Sequence, residues 1–595
     1  MVERKAEHMS EASTGDGVFA ILKRVYALLN AGERRFAFGL LGLVLVNSLV
    51  DLLGLAAVIP VIGLVVEPEL LASNPLIAGL FDFAYGLGVA SEKQFLAVLC
   101  ALLVAAFLFK TVFGIWMNHI QSRFGFRVAH RLSGALWMHH FSDSLERMRS
   151  KESGRILAEI NSWPVLFARV FVTGGQLFFN EVVVMVLLAV GLTAYDPLVF
   201  LGVGGIVGAG ALVIRMATRR RLRQNSAAIH HLAPTSSSIV QNAVRGFLEL
   251  ITFRAVRSVQ QAYLGRTQEL YRVHSRQMVL GIVPTRLYEF LAVTALCGII
   301  VFSLWTGESD AAFFETLSLL ALSAYRVMPA MSRINARLIA MRGQMHLLGA
   351  MENAASGEAA EAGEAPQLAT EPDPARNAPI GIPVRIEIQN LTLAYHDGEP
   401  VVRDLTAAFE PGQINTITGA SGSGKSTLVA ALLGLHAPST GAIILNGQKL
   451  GAQLTPADWL GSLAYLSQHP FLFSGTVREN LTLGAAGEME DSSVALALIE
   501  RLGLANVLGP NPLDFRLNEG GSNLSGGQQQ RLALIRALRL ERPVLVLDEA
   551  TSGLDGAARD VVVCVLQEYA AQGRTVLLVT HDDAIANTHN GVRLS

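Results

Sequence analysis

Charge is what this sequence is short of. Asp, Glu, Lys and Arg make up 16% of its 595 residues, whereas a soluble globular protein carries about a quarter. The deficit is local. The first half is strongly apolar, and the last third reads as an ordinary soluble domain, so a wholly soluble body is excluded. The two signs nearly cancel, to a net charge of −2; nothing in the balance calls for nucleic acid, and none is expected as a partner. Cysteine is scarce as well. Cys100, Cys297 and Cys564 lie far apart, show no metal or redox spacing, and sit in apolar runs, which makes them expected buried thiols. The opening residues, 1–17, are polar and lack the apolar core of a signal peptide. The first apolar span would then act as its own insertion signal. No internal repeat is evident.

Long apolar runs are what the chain does have. A bilayer core of about 30 Å takes roughly 20 apolar helical residues. Six stretches qualify: 36–65, 95–118, 170–193, 198–215, 281–304 and 314–339. Ahead of them, Val18, Ile21, Leu22, Val25, Leu28 and Leu29 recur at helical spacing beside Lys23 and Arg24, the pattern of a helix lying along a membrane surface. Arginine crowds the segments between spans two and three (Arg123 to Arg155) and between spans four and five (Arg219 to Arg276). The alternate loops are acidic, with Glu67, Glu69, Asp82, Asp196, Glu308 and Asp310. The positive-inside rule then puts both termini in the cytoplasm. The two basic segments are long and helix-compatible, and are expected as helical extensions into the cytosol. Residues 70–87 form an apolar-striped piece, expected as an external interfacial helix. A polar tail (1–17), a six-span membrane domain (18–351), a Glu-, Ala-, Gly- and Pro-rich linker (352–382) and a soluble α/β domain (383–595) follow from these shifts.

The soluble domain carries chemistry. In NTITGASGSGKSTLVAALLG an apolar strand runs into a glycine loop and then a helix. Gly419, Ser421, Gly422, Gly424, Lys425, Ser426 and Thr427 are the expected phosphate-binding residues. Glycines let backbone N–H groups wrap a phosphate, and the helix N-terminus adds a positive dipole. Lys425 would reach the β- and γ-phosphates of ATP, and Ser426 would ligate Mg²⁺. Downstream, VLVLDE reads as a buried strand ending in Asp548, placed to hold Mg²⁺, and Glu549, placed to polarise the attacking water.

Between the two lies LSGGQ, Leu524 to Gln528. With the loop and the acids, this motif resembles the ATP-binding-cassette (ABC) ATPases over the whole soluble domain. The resemblance implies further roles. Tyr395 would stack on adenine, Gln468 would sense Mg²⁺ and γ-phosphate, Asp555 belongs to the Ser552–Asp555 D-loop, and His581 would be the switch histidine. Ser525, Gly526, Gly527 and Gln528 would close over the phosphate loop of a second cassette. One cassette per chain then implies a homodimer with two equivalent sites. Catalysis falls to Glu549, His581 and Gln468, and metal binding to Ser426, Gln468 and Asp548. Exporters of this family usually carry a VGERG-like stretch before the signature. Here it is Leu517-Asn-Glu-Gly-Gly521, with Glu519 kept and Asn518 and Gly520 departing, which bears on coupling to the membrane domain.

Six spans with cytosolic extensions resemble the exporter half of the family. Tyr325 to Ile334 in span six, together with GGSNLSGGQ, resembles the lipid-linked oligosaccharide flippases of the PglK type. That resemblance implies ATP-driven movement of a lipid diphosphate saccharide to the outer leaflet of a bacterial cytoplasmic membrane, with Lys110 and Arg326 on the cavity wall. A third basic position aligns with Thr285, with Arg286 one residue later. Charges inside spans are costly and face cavities or partners. The bland alternative is that Lys110, Arg286 and Arg333 snorkel, or pair with Glu289, Glu181 and Asp51. Export of a hydrophobic drug, another lipid or a peptide competes as a function. So does an ATP-gated channel, against which the intact Glu549 and His581 argue.

Overall fold

The computed structural model describes residues 17–56, 86, 91–142, 145–151, 153–195, 197, 208, 210, 238–244, 246–306, 311–356, 380–395, 398–483 and 492–594. They divide into two compact units, one of residues 1–140 and 151–358, the other of residues 141–150 and 359–595. The fourth expected span, the external helix at 70–87, the Arg219–Arg223 run and most of the linker lie outside the described residues.

The first unit is helical. Its main helices are α1 (Val18–Ala27), α2 (Ala31–Ala56), α3 (Glu92–Phe141), α4 (Gly174–Tyr195), α5 (Val256–Thr306), α6 (Ala311–Gly343) and α7 (Met345–Ser356). Helices α3 and α5 contain 50 and 51 residues. At 1.5 Å per residue each is about 75 Å long, more than twice a bilayer core. Each therefore has length for a span and an extension, as the arginine-rich flanks imply. By length and composition, Lys93–Phe141 and Ser153–Gly191 can cross a membrane among the described residues.

Helix α1 turns its apolar stripe onto protein rather than out. Ile21 and Val25 are buried, and a Cβ on Gly175 would come within 3.3 Å of Leu22. Arg24 makes a two-pronged contact with Glu352 on α7, at 2.8 and 2.7 Å. The chain is thus still helical, and tied to the membrane unit, over the first residues of the expected linker. The cysteine expectation fails: all three thiols are exposed. Cys100 and Cys297 lie on α3 and α5, whose apolar runs mark helices that face lipid or another chain instead of a private core. Cys564 lies on the outer face of a cassette helix.

Polar side chains tie α4 to its neighbours. Ser48 Oγ on α2 donates to Asn180 Oδ1 at 3.0 Å, and Asn47 Nδ2 reaches the same oxygen at 3.4 Å. One residue on, Glu181 accepts from Arg333 of α6 at 2.6 and 3.0 Å. Thr285 of α5 shares a hydrogen bond with Ser332 of α6. Ahead of α4 the chain from Ser153 is helical but twice widens into π turns, at Ala158–Ser162 and Ala168–Thr173.

The second unit is the cassette. Its central sheet is parallel, in the order β11-β3-β10-β9-β6 (Asn590–Leu594, Ile414–Gly419, Thr575–Val579, Val544–Asp548, Leu463–Leu466). Parallel strands covered on both faces read as continuous apolar runs; every residue of β10 is buried. An antiparallel sheet, β2-β1-β4-β5, packs beside it, with β1 at Ile386–Leu393, β2 at Val402–Phe409, β4 at Thr440–Leu445 and β5 at Gln448–Lys449. The alternation read in VRIEIQNLTLAY belongs to β1. A short pair, β7 (Gly475–Thr476) and β8 (Arg516–Leu517), stands apart. The helices that matter for the site are α8 (Lys425–Leu432), α9 (Val477–Thr482), α10 (Ser493–Arg501), α11 (Gly526–Leu538) and α12 (Gly556–Ala571).

Candidate nucleotide site

Strand β3 ends at Gly419 and α8 begins at Lys425, so the intervening loop opens at the carboxyl edge of a parallel sheet. Gly419 sits at φ +154°, and a Cβ there would lie 2.7 Å from the Leu594 carbonyl oxygen. Gly424, at φ +90°, caps α8, and its Cβ would meet Val401 and Val402 at 3.0 Å or less. No other residue fits these two positions. Lys425 is buried and its Nζ donates to the carbonyls of Gly419 and Ala420 at 2.9 and 2.8 Å. The ammonium is thereby held over the loop. Ser421, Gly422 and Ser426 are exposed, and Thr427 is buried, its Oγ1 3.1 Å from the Tyr395 hydroxyl. Tyr395 packs its ring against His436 at 5.2 Å. Sequence reasoning gave His436 no role, because nothing local marks it as Tyr395's neighbour.

Strand β9 delivers the acids. Asp548 is its last residue, and Glu549 leaves it at φ +52°, a left-handed conformation costly for a glutamate. The backbone there is over-determined: Glu549 N–H donates to Val579 O, while its carbonyl accepts from Ser552 and Gln530. The carboxylate is held from two sides, by Gln468 Nε2 at 2.8 Å and His581 Nε2 at 3.1 Å. Burial, then the neighbouring Glu549, pushes the Asp548 carboxyl above its usual range, with Lys425 and His581 pulling the other way. Lys425, Gln468, Asp548, Glu549 and His581 therefore meet at one edge of the sheet. A half-buried carboxyl with a second acid beside it is a fitting oxygen donor for a hard divalent cation. Arg559, paired with Asp582 at 2.9 Å, lines the adjoining cleft with Thr551, Ser552, Leu554 and Thr580.

The signature is built separately. Ser525 caps α11 in a reciprocal box, its N–H donating to Gln528 Oε1 at 2.8 Å and its Oγ accepting from Gln528 N. Gly526 opens the helix with no atom near its missing Cβ, and a Cβ on Gly527 would press the Gly553 carbonyl at 3.0 Å. Asp555 caps α12 through Ala558 N at 2.8 Å. Among the described residues no hydrogen bond joins the signature to the phosphate loop. The stretch before it forms a tight turn in which Gly520 takes φ +63°, so the departing glycine suits the backbone it occupies. A Cβ on Gly521 would strike Leu472 at 2.8 Å.

The three expected cavity residues have separate surroundings. Lys110 Nζ lies 5.3 Å from the Phe107 ring. Arg286 is exposed and pairs with Glu289 one turn on, at 2.8 Å. Arg326 falls within α6, and its side chain is outside the described ones.

Residues 402–552 match the family model described as ABC transporter. The chain aligns over 95% of its length with a structure titled as a bacterial Atm1-family ABC exporter with ATP bound, covering 94% of that chain with a TM-score of 0.74 at 19% identity. The mycobactin import ATP-binding/permease protein IrtB of Mycolicibacterium smegmatis is 28% identical over 400 residues, 66% of each chain. An ATP-dependent lipid A-core flippase of Ralstonia nicotianae is 38% identical over 201 residues, 33% of each. A multidrug resistance ABC transporter of Lactococcus lactis is 33% identical over 199 residues, again 33% of each. The matched stretch thus spans under two thirds of the curated relatives, and about a third of most. The chain has the fold of an ABC exporter: a helical transmembrane domain and an ABC ATPase domain.

Proposed function

We propose that this chain is one subunit of a homodimeric, ATP-driven exporter that carries a lipid diphosphate saccharide from the cytoplasmic to the outer leaflet. The observation that carries the anionic cargo is an accounting of charge in the spans. Asp51, Glu181 and Glu289 are the acids on other spans that could partner Arg326 in mid-span. Glu181 is engaged by Arg333 and Glu289 by Arg286; the side chain of Asp51 is outside the described ones. Arg326 lies seven residues before Arg333 in the sequence of α6, and the stretch of α4 two turns beyond Glu181 holds no acid. A guanidinium in that setting suits the planar oxygens of a phosphate. The lipid A-core flippase among the relatives fits a lipid cargo, and the multidrug transporter keeps a hydrophobic drug as the runner-up.

The ATPase region powers the cycle. Tyr395, the 419–427 loop and Lys425 bind ATP. Ser426, Asp548 and Gln468 would hold Mg²⁺, which supplies charge neutralisation on the phosphates. Glu549 takes the proton of the attacking water, and His581 orients it. Ser525 to Gln528 complete the site of a second chain. The short helix Phe247–Thr252 and its capping Phe253, with Phe247, Leu248 and Phe253 strongly exposed, support a partner as well, since a cytosolic apolar cluster of this kind asks for cover.

Reconstituted protein carrying a fluorescent polyprenyl diphosphate saccharide tests the cargo. A charge-assisted hydrogen bond contributes about 1.5–3 kcal/mol, so Arg326→Ala should slow translocation by about ten-fold or more with basal ATP hydrolysis intact. Arg326→Lys should fall between. Equal translocation by all three proteins, or drug transport unaffected by Arg326, would remove the flippase reading and leave a general exporter.

A further inference from the structure

Residues 141–150 group with the cassette, yet both flanks of that segment belong to the helical unit. What fixes the flanks is therefore of interest. At one end, the last turn of α3 holds His140, which is buried from solvent. At the other, the helix from Ser153 opens within one turn into the π segment Ala158–Ser162. Glu159 in that segment is also buried. Its two oxygens are divided: Oε1 accepts from Arg155 Nε at 2.7 Å, and Oε2 stands 2.8 Å from His140 Nε2. The imidazole lies off the hydrogen-bond direction, so the contact is one of close packing, and both of its ring nitrogens are buried without a hydrogen bond.

The register around it is specific. A π turn inserts one residue and displaces a carbonyl from the α pattern. Here Ser133 Oγ of α3 donates to the Ile160 carbonyl at 2.8 Å, one residue after Glu159. Ser133 and His140 are seven apart and share a face of α3. Eight residues earlier on α3, Gly125 leaves room for the second π turn, where a Cβ would lie 2.7 Å from Thr173 Oγ1. So α3 meets both π turns along one stripe, and among the described residues the contact nearest the 141–150 segment is the one that uses a buried carboxylate.

We infer that His140 and Glu159 form a positioning pair that clamps the two legs of this hairpin, and that the clamp is required to link ATP hydrolysis to movement of the cargo. The link rests on the exporter reading; the clamp does not. Removing it frees the segment at the hairpin tip without touching the nucleotide site.

Hydrogen exchange on the full chain in lipid nanodiscs reads the clamp directly. Glu159→Gln is isosteric and keeps the fold. It and His140→Gln should each raise amide exchange across residues 141–150 by about ten-fold, with α8 and β9 unchanged. The double variant should exceed neither single, because one shared contact can be lost only once. Unchanged exchange in the singles, or additive increases in the double, overturns the clamp. In the same nanodisc protein reconstituted into liposomes, basal ATP hydrolysis should stay within about two-fold while translocation of a fluorescent polyprenyl diphosphate saccharide falls by about five-fold or more. Parallel loss of both overturns the coupling role. If wild-type protein moves no probe, the cargo reading fails alone, and the ratio of drug-stimulated to basal hydrolysis replaces translocation as the coupling readout.

Discussion

Glu549 occupies a backbone conformation that a glutamate adopts only when its surroundings insist on it, and three hydrogen bonds to its backbone carbonyl do so. The side chain is thereby aimed between Gln468 and His581. Glu549→Gln keeps the shape and removes the proposed base; ATP binding should persist, and turnover should fall by at least about a hundred-fold, the range typical of general-base loss. A variant that hydrolyses ATP normally would take the base role from this residue. Asp548 gives a test in the opposite sense. Its carboxyl is raised, so the folded protein holds the proton more tightly than the unfolded chain does. Above the raised value the ionised carboxylate costs stability, and the cost is relieved as pH falls through it. Asp548→Asn removes that cost. In metal- and nucleotide-free protein at neutral pH the unfolding temperature should rise by a few degrees, while Mg²⁺-dependent hydrolysis is lost. An unfolding temperature below wild type would show that Asp548 is stabilised, not penalised, by its neighbours.

Helix α4 shows how two adjacent residues can serve two neighbours. Asn180 faces α2 and Glu181 faces α6, about 100° around the helix. Breaking a partly buried ion pair leaves one charge stranded, whereas replacing both members is often neutral. Glu181→Leu should therefore lower the unfolding temperature, and Glu181→Leu with Arg333→Met should restore most of the loss. A double variant worse than the single would mean that the pair does more than satisfy itself. This pair was among the alternatives the sequence allowed, as was Arg286 with Glu289, because charges in apolar runs advertise a need for partners. The strand–loop–helix order at 414–432 was legible for a different reason: bound phosphate dictates glycine and that order locally, whereas His581 was expected only through the resemblance to the ABC ATPases. The π turns and the His140–Glu159 contact were not legible. A count at 3.6 residues per turn passes over an inserted residue, and a pair meeting across two helices leaves no local pattern. The cysteines are exposed because an apolar run does not by itself make a core.

At the scale of the whole protein, signature and phosphate loop are each complete and yet unconnected within the described chain. Mixing Lys425→Ala chains with Ser525→Arg chains should regain part of the hydrolysis that each lacks alone, since one of the two sites in a mixed dimer joins an intact loop to an intact signature. Verified mixed dimers with no recovery would count against shared sites. The π turns carry a longer-range consequence. Each is equivalent to one surplus residue, and Asn180 and Glu181 lie beyond both. Deleting one residue within a turn would restore α geometry and leave both side chains on the helices they now hold, whereas deleting one from a plain α stretch would swing everything downstream by about 100°. The turns thus act as length buffers for the helical bundle, and related sequences that lack one of them should carry the counterparts of Asn180 and Glu181 one residue earlier, facing the same neighbours.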